Sequence, residues 1–441
     1  MQAKTLNSAV DVLLICALKD EYDQVIEVTD GLLDTEWEKK TLPDGWLVAD
    51  GCFHTPSGIP LIIRTTHANH MGREKAQAVA SKLIHEHPTR CIAMSGICGG
   101  RREKVTLGDV IFADALWSYD AGKITVESGQ QRFQGDTIQY RPLPVWIQRM
   151  QHMTIQPNTP WLLQRPALSL EHQEDWVLLR ILAGDDPSQH SEFNTACPDW
   201  SKVLPQLWRK KWLEKPLVLT PGGRERAEEL NLLYPHGLPE PDGFQIHVAP
   251  IATGAAVTED GTIFSRLAES MRKVLGIEME ASALGALGEI HDIPVLVAKG
   301  VSDYGDDFKD DRYRKFAARA AAECLIALLR QAVDLLPDRD SGTASTGNDQ
   351  GNTPPEITMD FPRDLIKVLA EMYPDVQSAR SLWQRAGGKA SEVENITRPQ
   401  DLWQRLWQYS RQGASVRPGS LLQAALDDLP GNAILIRYLQ R

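Results

Sequence analysis

Short apolar runs alternate with segments of helical spacing over the first third of the chain, and further apolar runs and a helical segment follow up to about residue 336. Strands are predicted at residues 12–18, 61–66, 91–95, 108–113, 246–251 and 293–299. Helical spacing of apolar residues at 74–85, and an alanine-rich segment at about 311–336, predict helices between and after these strands. An alternation of this kind is typical of an α/β domain.

The last eighty or so residues have a different pattern. From residue 361 to 441 there is no strand-like alternation, and apolar residues recur at spacings of three and four. Breaks at Gly387-Gly388, Gly413 and Pro430-Gly431 divide this segment into at least four short amphipathic helices. The pattern predicts a small all-α domain at 356–441.

Residues 337–355 separate the two patterns. This stretch is rich in Ser, Thr, Gly, Asp and Asn and has almost no apolar content, so burial cannot offset the entropy of ordering it. We therefore predict a flexible linker between a catalytic domain at 1–336 and the helical domain.

A tryptophan-rich insertion is predicted at about 145–243. Within it, residues 217–230 have the pattern of a strand, a turn and a helix, which also occurs in winged-helix DNA-binding domains. The interpretation that we favour is an insertion that shapes a pocket or an oligomer interface, and we expect a homo-oligomer that binds no nucleic acid.

Composition narrows the classes of protein. The formal net charge of −12 over 441 residues argues against a protein that coats nucleic acid through its net charge. No apolar run reaches the roughly 18 residues that a membrane span needs, and the first apolar run resembles a strand more than a signal peptide. Six cysteines without a Cys-x-x-Cys pair indicate buried thiols in a reducing compartment. We expect a cytoplasmic protein without a membrane partner.

Acidic residues stand at the ends of two apolar runs late in the first domain. Glu278-Met279-Glu280 and Ser302-Asp303 stand where α/β enzymes hold ligands, beyond the carboxyl ends of strands. These motifs and their separation resemble the purine nucleoside phosphorylase and methylthioadenosine/adenosylhomocysteine nucleosidase superfamily, over residues from about 11 to 336. The resemblance implies a three-layer α/β/α domain with a central mixed sheet, and cleavage of a purine N-glycosidic bond.

The resemblance assigns Asp303 to the purine base. In the family this aspartate protonates or hydrogen-bonds N7, and the neighbouring serine, here Ser302, orients it. The alternative is that Ser302 and Asp303 cap a helix.

Two further acids match the family's sugar and water sites. Glu280 corresponds to the glutamate that binds the ribose 2′- and 3′-hydroxyls, and Met279 to the methionine on the sugar face. For Glu278 a structural salt bridge is the favoured role. Glu21 corresponds to the glutamate that positions or deprotonates water, with Asp20 as the fallback and a solvated helix-opening acid as the alternative. This loop lacks the glycine and arginine with which phosphorylases hold phosphate, which favours hydrolysis.

Glycines and a backbone segment complete the expected pocket. Ser95-Gly96-Ile97-Cys-Gly-Gly matches the family's glycine-rich turn after the central strand, with Ile97 where the family has a serine. Val257 belongs to the segment whose backbone contacts the base edge in the family. The phenylalanine that stacks on adenine in compact nucleosidases is absent.

Basic residues near these motifs suggest a phosphate group on the substrate. Lys299 replaces a family arginine near the water site, and His70 and Arg73 fall on the predicted loop after 61–66. With Arg102 these side chains could hold a 5′-phosphate chain, although the histidines could equally be polar surface. No metal-ligand spacing or cofactor motif is visible, so we expect neither.

The tail resembles the bacterial effector-associated domain, a death-like module that recruits protein partners. The resemblance rests on Tyr373-Pro, Ala386-Gly, Pro399 with Trp403, and Leu421-Leu-x-x-Ala-Leu before Pro430-Gly-Asn. A recruited nucleosidase acting on a nucleotide such as ATP would suit anti-phage defence. The rival hypotheses are a phosphate-dependent phosphorylase and a catalytically idle nucleotide sensor.

Overall fold

The computed structural model describes residues 10–127, 130–136, 138–257, 259–306, 310–337, 363–393, 396, 398–411 and 416–439. Contacts divide the chain into two compact units, 1–345 and 346–441. Most of the predicted linker lies outside the described residues, so its flexibility stays a prediction. Among the described helices, none combines the length and the apolar character needed to cross a membrane.

The first unit is built from strands and helices in alternation. Its strands are β1 (Val12–Cys16), β2 (Glu38–Thr41), β3 (Leu47–Phe53), β4 (Leu61–His67), β5 (Cys91–Gly100), β6 (Val110–Ser118), β7 (Gly122–Glu127), β8 (Gln130–Gly135), β9 (Gln139–Tyr140), β10 (Leu213–Glu214), β11 (Val218–Leu219), β12 (Ile246–Thr253), β13 (Gly276–Glu278) and β14 (Val295–Asp303). Its helices are α1 (Lys19–Ile26), α2 (Arg73–Glu86), α3 (Pro144–Gln151), α4 (Leu170–Leu182), α5 (Phe193–Ala196), α6 (Trp200–Arg209), α7 (Pro221–Leu233), α8 (Ile263–Ser270), α9 (Ala281–His291) and α10 (Arg312–Gln331).

Ten of these strands form one mixed sheet. Its order is β13-β12-β6-β14-β5-β1-β4-β3-β2, with β9 paired to β6. Because β13 also pairs with β5, five strands close into a ring at one end of the sheet. The carboxyl ends of β1, β5 and β14 point the same way, since these strands pair in parallel.

Strand residues alternate between two hydrophobic layers. Val12, Leu14 and Cys16 of β1 join the core that contains much of α10, whereas Leu13 and Ile15 join the core on the other face, which includes apolar residues of α2 and α9. Helices therefore cover both faces, and the expectation of a three-layer α/β/α domain with a mixed sheet is confirmed. All six cysteines are free.

The predicted glycine-rich turn at 95–100 is wrong. Strand β5 continues through Gly100, and its last residues pair with β14 and β13. The glycines serve close packing inside the ring: a Cβ at position 100 would lie 2.6 Å from side-chain atoms of Val105 and Val301. Strand pairing on both sides thus overrides the local preference of glycine for turns.

The 145–243 segment contributes to two cores. Helix α3 buries Trp146 and Met150 in the main core of the unit. Beyond residue 170 a separate small core contains Trp176, Leu178 and Leu207, and the predicted strand, turn and helix are β11 and α7.

The second unit is helical, as its spacing predicts. Its helices are α11 (Arg363–Met372), α12 (Val376–Arg385), α13 (Pro399–Arg411), α14 (Pro418–Asp428) and α15 (Ala433–Leu439). Leu369, Trp383, Trp403 and Leu421 are fully buried in one core that these helices share.

Candidate functional site

A cavity of ≈ 330 Å³ lies at the carboxyl ends of β1, β5 and β14. Seven of the twelve site residues expected from the sequence line it: Glu21, Ile97, Val257, Met279, Glu280, Ser302 and Asp303. The other five do not: Gly96, Lys299, His70, Arg73 and Arg102. Carboxylates from three separate parts of the chain thus meet at the edge of the sheet where α/β folds bind ligands.

Glu21 is held by three backbone N–H groups. Its Oε2 accepts hydrogen bonds from the N–H groups of Ala17 (2.9 Å) and Leu18 (3.0 Å), and its Oε1 accepts one from Ile97 (3.0 Å). The residue is 3% exposed, so the alternative of a solvated acid is wrong. Ile97, which has no hydroxyl, contributes through its backbone instead.

Gly96 makes room for this carboxylate. A Cβ at position 96 would lie 2.5 Å from Glu21 Oε1, closer than non-bonded atoms approach. Although Gly96 does not line the cavity, the absence of its side chain allows Glu21 to reach the backbone of β5.

Lys299 is fully buried between two glutamates. Its Nζ lies 3.3 Å from Glu278 Oε2 and 3.7 Å from Glu280 Oε2. Burial by itself lowers the pKa of Lys299, but the carboxylates of Glu278, Glu280 and Glu21 raise it above its ordinary value. Lys299 is therefore a buried cation that neutralises the acids, and the salt-bridge role expected for Glu278 agrees with the geometry.

Glu278 also organises the turn that carries Glu280. Its carboxylate accepts hydrogen bonds from the N–H groups of Glu280 and Ala281, and from the hydroxyl of Thr253. These bonds satisfy the first N–H groups of α9, as an acid at a helix N-terminus does.

Glu280 lines the cavity, and one of its carboxylate oxygens is held by a backbone hydrogen bond. Its Oε1 accepts a hydrogen bond from the N–H of Gly72 (2.9 Å), and the residue is 4% exposed. Burial raises the pKa of Glu280 to about 7; the charge of Lys299 and the Gly72 N–H oppose this rise, while Glu278 and Glu21 add to it.

Asp303 ends β14 with both carboxylate oxygens engaged. Gly305 N–H donates to Oδ1 (2.9 Å), and the hydroxyl of Ser302 donates to Oδ2 (2.8 Å). The alternative of a helix cap is wrong, because α10 begins only at Arg312. The contact expected between Ser302 and Asp303 is present.

The segment expected to contact the base is held in place by a hydrogen bond to Asp120. Asp120 accepts a hydrogen bond from the Ala255 N–H (2.7 Å) and a two-pronged pair from Arg73 (2.8 Å for each bond). Val257, on the same segment, lines the cavity and is largely exposed.

The basic residues expected to hold phosphate lie elsewhere. Arg73 belongs to α2, not to the preceding loop, and pairs with Asp120. Arg102 lies between Asp306 and Glu171, 2.7 Å from each. The substrate-binding roles of these arginines and of His70 stay predictions, and the structure does not bring them to the cavity lining.

Several lining residues had no place among the predicted site residues, and four of them have large side chains that are polar, charged or contain sulfur: Met71, Tyr119, Asp311 and Arg314. Tyr119 directly follows β6, so a search of all strand ends would have found it. Asp311 and Arg314 lie at the start of α10, where only the packing of that helix brings them to the cavity. Among the residues that the structure describes, no group of three or more His, Cys, Asp or Glu could hold a metal ion.

Family models match two parts of the chain. The model described as Phosphorylase superfamily matches residues 178–334, and the model described as Effector-associated domain 1 matches residues 356–441.

Two curated relatives share part of the sequence. The uncharacterized protein y4jS of Sinorhizobium fredii is 26% identical over 337 residues, which are 75% of this chain and 62% of that protein. The ATP nucleosidase Cap17 of Escherichia coli is 24% identical over 254 residues, 57% of this chain and 38% of that protein. The chain thus spans less than two thirds of the length of these relatives.

Solved structures of nucleosidases align with about three quarters of this chain at low identity. A 5′-methylthioadenosine/S-adenosylhomocysteine nucleosidase of Helicobacter pylori is 13% identical, with 74% of this chain and 99% of that chain covered and a TM-score of 0.40. The corresponding enzyme of S. pneumoniae is 14% identical, with 73% and 100% covered and a TM-score of 0.42.

Proposed function

We propose that this chain, which joins a phosphorylase-superfamily domain to an effector-associated domain 1, hydrolyses the bond between ribose and a purine base. Both family matches confirm the resemblances drawn from the motifs. The observation that carries the proposal is the meeting of Glu21, Glu280 and Asp303 in one cavity, each held by its own set of hydrogen bonds.

Breaking an N-glycosidic bond makes three demands on such a cavity. The base must leave neutral, so a proton has to reach N7. The ribosyl group gains oxocarbenium character and needs negative charge nearby. A nucleophile must then attack C1′ from the face opposite the base.

Asp303 is the proposed proton donor to N7. Ser302 and Gly305 each hold one of its oxygens, so the carboxyl group is oriented before the substrate binds. Such preorganisation lowers the barrier because little rearrangement remains for the transition state.

Glu280 is the proposed ligand of the ribose hydroxyls. The Gly72 N–H occupies Oε1, while Lys299 near Oε2 favours the charged form. In a buried site a carboxylate acts on developing positive charge more strongly than it would in water.

Glu21 is the proposed base for the attacking water. A carboxylate offers about four acceptor positions, and three are taken by backbone N–H groups. Oε1 accepts only one of these three, so it keeps a position for a water molecule at the cavity wall.

Hydrolysis and phosphorolysis are separated by one assay. The purified chain is incubated with purine nucleosides and nucleotides in phosphate-free buffer, and free base is measured by chromatography. Hydrolysis predicts release of base and free sugar without phosphate. Strict dependence on phosphate with ribose 1-phosphate as the product would establish the phosphorylase alternative instead.

We propose an adenine nucleotide such as ATP as the substrate. The support is a partial likeness to a relative named as an ATP nucleosidase, together with the fused recruitment domain. A panel of ATP, AMP, adenosine, inosine and methylthioadenosine tests this, and kcat/KM should be highest for an adenine nucleotide.

The tail suggests that the enzyme is recruited or activated by assembly, as an effector in anti-phage defence. This part is an analogy from domain pairing. Its support is the match of residues 356–441 to an effector-associated domain and the compact helical core there. The idle-sensor alternative is disfavoured because the three acids are all present, and it predicts ligand binding without base release.

A further inference from the structure

The charged residues of the cavity are unevenly distributed. Five acids line it: Glu21, Glu278, Glu280, Asp303 and Asp311. Within the described part of the chain, Arg314 is the only cationic side chain among the lining residues. An anionic group that enters this cavity therefore meets one favourable partner.

Three other cationic side chains that were considered for phosphate binding are already paired with carboxylates. Lys299 is fully buried beside Glu278 and Glu280. Arg73 forms a two-pronged pair with Asp120, and Arg102 bridges Asp306 and Glu171. Binding a phosphate with any of these would first require breaking such a pair.

Arg314 retains unused donors. It lies in the first turn of α10, its side chain is 41% exposed, and its Nε donates to Asp20 Oδ2 (2.8 Å). Its two terminal amino groups make no hydrogen bond with any described residue, so the outer fork of the guanidinium is open. That fork matches the spacing of two phosphate oxygens.

The position of Arg314 places such a group near the proposed water site. Asp20, its partner, directly precedes Glu21, whose carboxylate lies on the cavity wall. A phosphate bound by Arg314 would thus lie at the Glu21 end of the cavity.

We propose that Arg314 is the residue through which this cavity binds a phosphate group. The proposal rests on the proposed function for the presence of a purine nucleoside, and it deepens it. The phosphate has two possible sources, the 5′-phosphate chain of a nucleotide and inorganic phosphate. In the second case the C1′–N9 bond breaks, a phosphate oxygen bonds to C1′, and the proton goes to N7, which gives free base and ribose 1-phosphate.

The test compares Arg314→Gln with Arg149→Gln. Arg149 is a matched control, because it is similarly exposed and pairs with a single exposed carboxylate, Asp334, but does not line the cavity. For each protein, kcat/KM is measured on AMP, ATP and adenosine without phosphate, and on adenosine with added phosphate.

A 5′-phosphate source predicts that Arg314→Gln loses about 10- to 150-fold on AMP and ATP and less than about 3-fold on adenosine. An inorganic source predicts loss confined to the phosphate-stimulated rate on adenosine. Equal losses on nucleoside and nucleotide without phosphate would show that Arg314 only positions the Asp20–Glu21 turn, and would overturn the proposal. Unchanged kinetics on every substrate would overturn it too.

A binding measurement keeps this test separate from the proposed function. Kd values for AMP, adenosine and inorganic phosphate are measured by calorimetry in an Asp303→Asn background, with and without Arg314→Gln. If the wild-type chain releases no base from any purine, the proposed function fails. The phosphate-binding role of Arg314 is still supported if its replacement weakens the binding of AMP or of inorganic phosphate but not that of adenosine. The role is overturned if the replacement weakens the binding of neither phosphate-bearing ligand.

Discussion

Glu280 combines burial with a proposed role that needs negative charge. Burial raises its pKa to about 7, so a fraction of the side chain is protonated at neutral pH and more is protonated as the pH falls. In the proposed reaction the charged form of Glu280 supports the ribosyl cation, so kcat/KM for base release should fall as the pH decreases through about 7. A pH–rate profile between pH 5 and 9 measures this fall, which is the acid limb of the profile.

Lys299 should set the position of that limb. Its charge lowers the pKa of Glu280, so Lys299→Met should move the acid limb to higher pH. Lys299→Arg, which keeps the charge, should leave the limb close to that of the wild type. A Met variant that stays folded and keeps the wild-type limb would show that Glu280 does not control it.

Asp303 is the acid whose loss should affect the chemical step most. Asp303→Asn keeps the shape but removes the proton for N7, so kcat should fall roughly 10²–10⁴-fold while substrate binding survives. Asp306→Asn is the control, since Asp306 lies three residues further on and does not line the cavity. Near wild-type turnover of the Asp303 variant would contradict the N7 assignment.

Gly96 should be essential without touching the substrate. The Cβ of Gly96→Ala would meet Glu21 Oε1 at 2.5 Å and displace the proposed base. A displacement of about 1 Å at a catalytic group costs roughly 10²-fold in rate, which steady-state kinetics would detect. Gly222→Ala, where a Cβ has no neighbour within 4 Å, should keep wild-type activity.

At the level of secondary-structure elements, the insertion is bonded to the first turn of α10 and to Asp310, which lies just before that helix. Asp310 accepts a hydrogen bond from the Leu170 N–H (2.9 Å), Tyr313 donates to the Pro166 carbonyl (2.8 Å), and Arg312 pairs with Asp199 and Asp310. The insertion thus contacts residues close in sequence to Asp303.

Arg312 is the link that can be tested. Arg312→Gln leaves Asp310 and Asp199 without their shared cation, so the free energy of unfolding should fall by about 1.5–3 kcal/mol in urea titrations. Arg266→Gln removes an exposed pair with Asp260 and should cost less than about 1 kcal/mol. Equal effects of the two changes would mean that the insertion is not held through Arg312.

At the scale of the whole molecule, each unit has its own hydrophobic core. The tail core consists of residues from Leu365 to Leu435, while the two sheet cores consist of residues before 337. We therefore expect residues 1–336 to fold alone, with a cooperative thermal transition, and residues 356–441 to fold without binding nucleotide.

Calorimetry of the two fragments tests this separation. If the fragment 1–336 is unfolded, or if the isolated tail binds ATP, the recruitment role of the tail is wrong. A folded but inactive 1–336 fragment would instead indicate activation by assembly, and restoring activity by adding an oligomerising domain would confirm that.

Local pattern was sufficient for several central strands, for the helical tail and for the acids that end apolar runs. The apolar runs predicted β1, β4 and β14 to within a few residues, because a strand buried on both faces has a continuous apolar sequence. The helices of the tail were predicted in the same way from the spacing of apolar residues, since the buried face of an amphipathic helix consists of apolar residues three and four positions apart. Asp303 and Glu280 were identifiable because each stands at the end of an apolar run, in a motif that resembles the superfamily's, and strand ends are where α/β folds bind ligands.

Tertiary structure alone decided how those side chains are used. The strand β5 continues through its glycines because β13 and β14 pair with it, and nothing within residues 95–100 states which strands are neighbours. Three features of the site depend on residues that are far apart in sequence. Lys299 pairs with Glu278 and Glu280, and Gly96 leaves space for Glu21. Arg314, from the start of α10, lines the same cavity. Such partners depend on the packing of whole elements, whereas periodicity reports only whether a position is buried.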